Sequence, residues 1–150
     1  MKEIVVSKEK AVFWMDEHGR WCNAHGLFEH RKIIDYFNAC IRKDQYGYFV
    51  EQIRDNLREK VYFRYEDTPL FAVDINITEM PLILVLNTGN TAKLDPFLLY
   101  VRNDCLYLRQ NEDCIKFNER VLIKLSHFID VVGNRYYFCT EDSRYPIPEA

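Results

Sequence analysis

The stretch Phe13–Val50, FWMDEHGRWCNAHGLFEHRKIIDYFNACIRKDQYGYFV, limits the possible folds more than any other part of the chain. Its periodicity runs from strand to helix and back to strand, with turn residues at each change. Phe13-Trp14-Met15 and Arg20-Trp21-Cys22-Asn23 flank Asp16-Glu17-His18-Gly19 and predict a short hairpin. Gly19 supplies positive φ there, and Asp16 can bond its own backbone. Asn23 to Phe28 is a connector. From Glu29 to Lys43, Ile33, Ile34, Phe37, Cys40 and Ile41 fall at i, i+1, i+4, i+7 and i+8, one face of an amphipathic helix. Arg42 and Lys43 close it, where positive charge suits a helix C-terminus. Gly47 breaks the pattern, and Tyr48-Phe49-Val50 begins a strand. Such alternation predicts an α+β fold. An aromatic share of 15% fits strands better than a helical bundle.

The remaining segments follow the same grammar. Ile4 to Val6 makes a first short strand. Ile53 to Lys60 is polar and reads as a loop with one helical turn. Val61 to Tyr65 is a strand, Glu66-Asp67-Thr68-Pro69 a turn, and Leu70 to Ile77 the next strand. Pro81 opens a second half. Leu82 to Asn87 reads as a buried strand, and Phe97–Arg102 with Cys105–Arg109 as a hairpin across Asn103-Asp104. Asn118 is an N-cap for a helix over 118–132, with Val121, Leu122, Leu125, Phe128 and Ile129 on its face. Gly133 suits the C′ position. Arg135 to Thr140 is a strand, and the tail with Pro146 and Pro148 is irregular.

The two halves share an order of elements. The hairpins align Trp14 with Tyr100 and Trp21 with Tyr107. The helices align Ile33 with Val121 and Phe37 with Leu125, and the following strands align Phe49 with Phe138. The spacing grows only in connectors, where insertion is tolerated. This predicts two tandem structural repeats, 1–80 and 81–150, packed as one compact unit. Each is a small, mostly antiparallel sheet with one amphipathic helix, and any site is expected at the seam between them. The stripe alone proves nothing, because any amphipathic helix has it. Chance similarity is the competing reading.

Composition excludes several classes. The 150 residues suffice for one domain or two small halves. The formal charge is −3 and no basic stripe occurs, so a nucleic-acid partner is not expected. No apolar run approaches the ~20 residues of a membrane-spanning helix. The five cysteines form no CxxC and no export signal precedes them, so reduced thiols and a cytoplasmic location are expected.

Three features together resemble a bacterial family of unknown function. They are the hairpin Phe13-Trp14-Met15-Asp16 to Gly19-Arg20-Trp21, the Gly47-Tyr48 strand after an amphipathic helix, and Glu66-Asp67-Thr68-Pro69 before the apolar Leu70-Phe71. The resemblance covers Phe13 to about Ile77. The chain departs from it just ahead of the helix, with Leu27-Phe28 where the family has Pro-Ile. The resemblance implies an α+β fold with internal repeats and a signalling or ligand-binding role. It implies no established catalytic activity and supplies no catalytic residues.

Candidate chemistry is sparse. His18, Cys22, His25 and His30 are zinc-ligand types within a short span, but their spacing matches no zinc motif. Exposed turn and connector histidines are the plainer reading. Cys22-x-x-His25 and Ser126-His127 lack the setting of an activated nucleophile. No P-loop, G-x-G-x-x-G or G-x-S-x-G occurs. Glu66 and Asp67 are sequence neighbours on an extended segment and point to opposite faces. The plain reading pairs Glu66 with Arg64, Arg31 or Lys60 and uses Asp67 to cap the turn. The functional reading puts one of them on a polar ligand with Arg31. Trp14 and Trp21 are core packing or an apolar wall for a ligand.

The expectation is therefore a non-catalytic cytoplasmic ligand-sensing or signalling domain without a cofactor. Its ligand-binding residues are Trp14, Asp16, Trp21, Arg31, Tyr48, Glu66 and Asp67, and its partner is an unknown small molecule or protein. The alternatives are a small metal-dependent hydrolase built on the His/Cys connector, and a protein–protein adaptor or homodimerisation module.

Overall fold

Turn residues recur every few positions, so the strands are short and numerous. Strands hold 51% of the residues and helical turns 15%. The computed structural model describes residues 1–150 and divides into two units, Met1–Pro69 and Leu70–Ala150. No helix is long and apolar enough to cross a membrane.

The first unit contains β1 (Lys2–Val6), β2 (Phe13–Met15), β3 (Trp21–Asn23), β4 (Gly26–Leu27), α1 (Arg31–Ala39), β5 (Ile41–Asp44), β6 (Gly47–Arg54), β7 (Leu57–Tyr62) and β8 (Arg64–Tyr65). Its sheets are ordered β1-β7-β6-β5 and β4-β3-β2-β8. An edge-to-face aromatic cluster anchors α1. Phe13, Phe37 and Phe63 surround Trp21 at centroid distances of 5.7, 5.4 and 4.8 Å, and Phe28 meets Phe37 at 5.2 Å.

The second unit contains β9 (Leu70–Asn76), β10 (Ile83–Leu86), β11 (Thr91–Lys93), β12 (Leu99–Arg102), β13 (Cys105–Gln110), β14 (Asp113–Phe117), α2 (Glu119–Leu125), β15 (Ile129–Val132), β16 (Arg135–Cys139) and β17 (Arg144–Ile147). A six-stranded sheet runs β11-β10-β9-β14-β13-β12, and a three-stranded sheet runs β15-β16-β17. β9 is antiparallel to β10 and parallel to β14. One face of the large sheet carries Ala72, Leu84, Leu99, Val101, Leu106, Leu108, Ile115 and Phe117 into a core shared with Val121, Leu125 and Phe138. The Asn118 side chain accepts from the Val121 N–H at 3.0 Å and starts α2. Lys124 then donates to Asp74 on β9 at 2.7 Å.

Both units place a helix between two three-stranded antiparallel meanders, β2-β3-β4 and β5-β6-β7 in one, β12-β13-β14 and β15-β16-β17 in the other. The second unit adds β9–β11 ahead of them. Several expectations need correction. Each unit has two sheets rather than one, and β9 belongs to the second unit although it precedes residue 81. The first helix is shorter than 29–43, because Ile41 pairs with Val50 and draws Ile41–Asp44 into a strand. Arg42 still reaches back, donating to the Ala39 carbonyl at 2.9 Å. No residue of α1 is buried, whereas Val121 and Leu125 of α2 are fully so.

The helix over 118–132 likewise ends early. A 3-10 turn over Ser126–Phe128 leads into β15, and Gly133 serves the β15–β16 turn with φ 63°. Ile53 to Lys60 is a hairpin, not a loop. Asp55 and Asn56 both take positive φ, 47° and 63°, which matches the twist of the flanking strands. The tail forms β17 in spite of Pro146, because that strand lies at the edge of its small sheet.

Asn118→Ala should cost about 1 kcal/mol of stability. Leu125→Ala should cost about 3 kcal/mol, since it empties a site with no exposure. Urea unfolding of the two variants checks both values and their order.

Candidate functional site

The anticipated ligand-binding residues all lie in the first unit, and most have structural work there. The hairpin register sets Met15 opposite Trp21 and Trp14 opposite Cys22, so the two tryptophans occupy opposite faces. They form no common wall. Trp21 is 1% exposed, and its indole N–H donates to Asn38 Oδ1 at 2.8 Å. Its polar edge is therefore satisfied inside the core. Trp14 is half-buried beside Arg64 of β8.

Asp16 organises the β2–β3 turn. Its carboxylate accepts from the backbone N–H of His18 at 2.9 Å and of Arg20 at 2.8 Å, and from Arg20 Nε at 2.8 Å. Burial works against its charge, but these bonds from Arg20 and His18 outweigh it and hold the carboxyl below its usual range. Glu66 Oε2 accepts from the Glu17 N–H at 3.2 Å, which ties the segment after β8 to the same turn. Glu66 therefore meets backbone there. Of the three cations proposed for it, Lys60 pairs with Asp44 and Arg31 with Asp35. Arg31 is 83% exposed at the start of α1. Asp67 is half-buried next to the buried Thr68. Tyr48 meets Tyr65 edge-on at 5.8 Å and lines a hollow of about 200 Å³ with Lys8, Tyr46, Tyr62 and Arg64. The structure thus joins Asp16 to Glu66 through one turn, and leaves Trp21 in the core and Arg31 on its own helix.

The His/Cys connector does not assemble. No three His, Cys, Asp or Glu side chains converge to hold a metal ion. His18 sits beside Glu17 at the turn tip, Cys22 is buried in β3, and His30 is the N-cap position of α1. Burial and then the charge of Asp16 push the Cys22 thiol up, the reverse of activation.

A concavity of about 1020 Å³ lies in the second unit, away from every residue expected to bind a ligand. Buried Leu82, Leu94 and Phe138 form its floor. Phe128 and Tyr145 form a half-buried wall, and Thr78, Glu79, His127, Glu141 and Asp142 an exposed rim. Four separate stretches of chain meet there, which is why no local motif announces it. Two adjacent acids, Glu141 and Asp142, stand on the rim.

The fold is similar to that of a DUF1285 family protein from Silicibacter pomeroyi DSS-3, with a TM-score of 0.64 and 12% identity over 97% of this chain and 83% of that one. It is also similar to a DUF1285 family protein from Shewanella baltica OS155, with a TM-score of 0.53 and 18% identity over 77% of this chain and 91% of that one. Both structural neighbours are of unknown function, and at these identities the likeness is one of fold. No protein-family model and no curated protein matches the chain.

Asp16 supplies a pH test of the first unit. Its native pKa lies below the unfolded value of ~3.9. The stability it contributes is therefore present above about pH 4 and lost as pH falls through the native value. Asp16→Asn should cost about 1 kcal/mol at pH 7. The gap from wild type should close as pH drops below about 4, as read from urea midpoints across that range.

Proposed function

We propose that this chain is a non-catalytic ligand-sensing domain, and that the cavity of the second unit is where it takes a small molecule. The supporting observation is the cavity itself: about 1020 Å³, an apolar and aromatic interior, and polar groups gathered at the mouth. Small-molecule sites have this make-up, with burial giving affinity and a few polar groups giving orientation. The lining contains one thiol, Cys139, and one imidazole, His127. Descent of both units from one duplicated segment belongs to the same proposal. It is supported by the shared meander–helix–meander order and by Phe49 and Phe138, both buried on middle strands.

A second reading, self-association, has its own observation. β1 is an edge strand with Ile4 44% and Val5 57% exposed, so it offers unpaired backbone groups beside apolar side chains. The occupant would be β1 of a second copy, added antiparallel.

A thermal-shift screen of cytoplasmic metabolites tests the first reading. At least one compound should raise the melting temperature of the wild type. Cys139→Trp, which fills the cavity from the end of β16, should abolish the shift while leaving the circular dichroism spectrum intact. A screen without hits, or a hit that survives Cys139→Trp, overturns it. Light scattering tests the second: a dimer that Val5→Lys converts to monomer supports it, and a monomeric wild type ends it.

A further inference from the structure

We infer that the ligand of this cavity is an organic cation, an apolar body with a substituted ammonium head. The inference rests on the binding role proposed above and adds the chemical class. Three features of the lining carry it.

The first is aromatic. Phe128 and Phe138 stack at 5.8 Å with their planes 10° apart, and Tyr145 follows at 6.3 Å from Phe138. All three line one cavity; Phe138 is buried and backs the other two, so Phe128 and Tyr145 are the rings open to a ligand. The face of an aromatic ring is electron-rich and attracts a cation, and most strongly where the head is shielded from water. The half-buried positions of Phe128 and Tyr145 provide that shielding.

The second is charge. Glu79, Glu141 and Asp142 stand on the rim, and the lining contains no Lys or Arg. Elsewhere in this unit Asp74 pairs with Arg120 and Lys124, and Asp130 with Arg144. Exposed carboxylates add little to affinity one at a time. Together they set a negative potential over the mouth, which draws a cation in and repels an anion.

The third is that neighbouring cations are directed away. Arg144 adjoins Tyr145 in sequence but lies over Tyr137 at 4.0 Å and pairs with Asp130 at 3.7 Å. Lys124 is held by Asp74 at 2.7 Å. Lys93 is exposed between the buried Ala92 and Leu94. No Lys or Arg competes for the rings, and His127 is the one basic side chain on the rim.

Three isosteric probes separate the possibilities: choline, the neutral 3,3-dimethylbutan-1-ol and the anionic 3,3-dimethylbutanoate. Binding is followed by amide chemical shifts in titrations at low and moderate salt. Choline should bind about tenfold more tightly than the alcohol, and the acid should not bind. Shifts should fall on residues 77–82, 94–96, 127–128 and 138–145. Tyr145→Leu should bring choline and the alcohol close together. The double variant Glu141→Gln, Asp142→Asn should weaken choline several-fold at low salt and leave the alcohol unchanged. Its folding is verified by its unbound spectrum, and both replacements lie on exposed positions. If the alcohol binds as tightly as choline at the same residues, the cationic class is wrong and the cavity remains a binding site. If shifts map to other residues, the cavity itself is the wrong place. No choline response at high-millimolar concentration also overturns the inference.

Discussion

Val121 and Leu125 are fully buried where α2 lies against β9, and Lys124 and Arg120 close on Asp74 from the same helix. Much of the second unit depends on that junction. Asp74 is held ionised by its hydrogen bond from Lys124, by the Ile75 N–H and by the charge of Arg120. The apolar contacts supply the burial, and the ionic contacts set where along β9 the helix lies. Once α2 is seated, the turn at Ser126–Phe128 has a determined path. Phe128 is thereby delivered onto Phe138, and the wall of the cavity follows. The wall is a consequence of helix placement, not a local motif.

The first unit reaches stability by another route. Its helix buries no residue fully; Phe37 packs among Phe13, Trp21 and Phe28, and Asn38 accepts from the Trp21 indole. The polar residues with the strongest local signal are engaged in similar ways. Asp16 closes its own turn, and Glu66 fastens a second segment to it. Asp16, whose oxygens already accept three N–H groups, has little acceptor capacity left. The rim acids Glu141 and Asp142 contrast with it. They stand exposed in a lining that includes aromatic rings.

Much of the fold was legible because its signals are local. The hairpin across Asn103-Asp104 follows from two residues that tolerate positive φ, and both adopt it. The start of α2 follows from Asn118. The misreadings share one cause, the decision of a partner distant in sequence. Ile41 continues the apolar stripe of α1, yet pairing with Val50 makes it a strand residue. Ile53 to Lys60 is polar enough for a loop, but β1 adds in parallel to β7 and confirms the hairpin as sheet. Pro146 signals irregular chain until an edge position removes the need for its missing N–H.

The amino-acid order by itself determined a chain of many short strands with two helices, the hairpins at their turn residues, and the lack of a long apolar span. These follow from φ preferences and from the period of apolar residues, which act over a few neighbours. Tertiary packing alone decided which face each tryptophan occupies, where each helix stops, and which polar groups stay exposed. A one-residue register difference moves Trp14 and Trp21 to opposite faces, and four distant segments must close together before the cavity of the second unit exists. Contacts between residues far apart along the chain set both outcomes, and no short stretch of sequence encodes them.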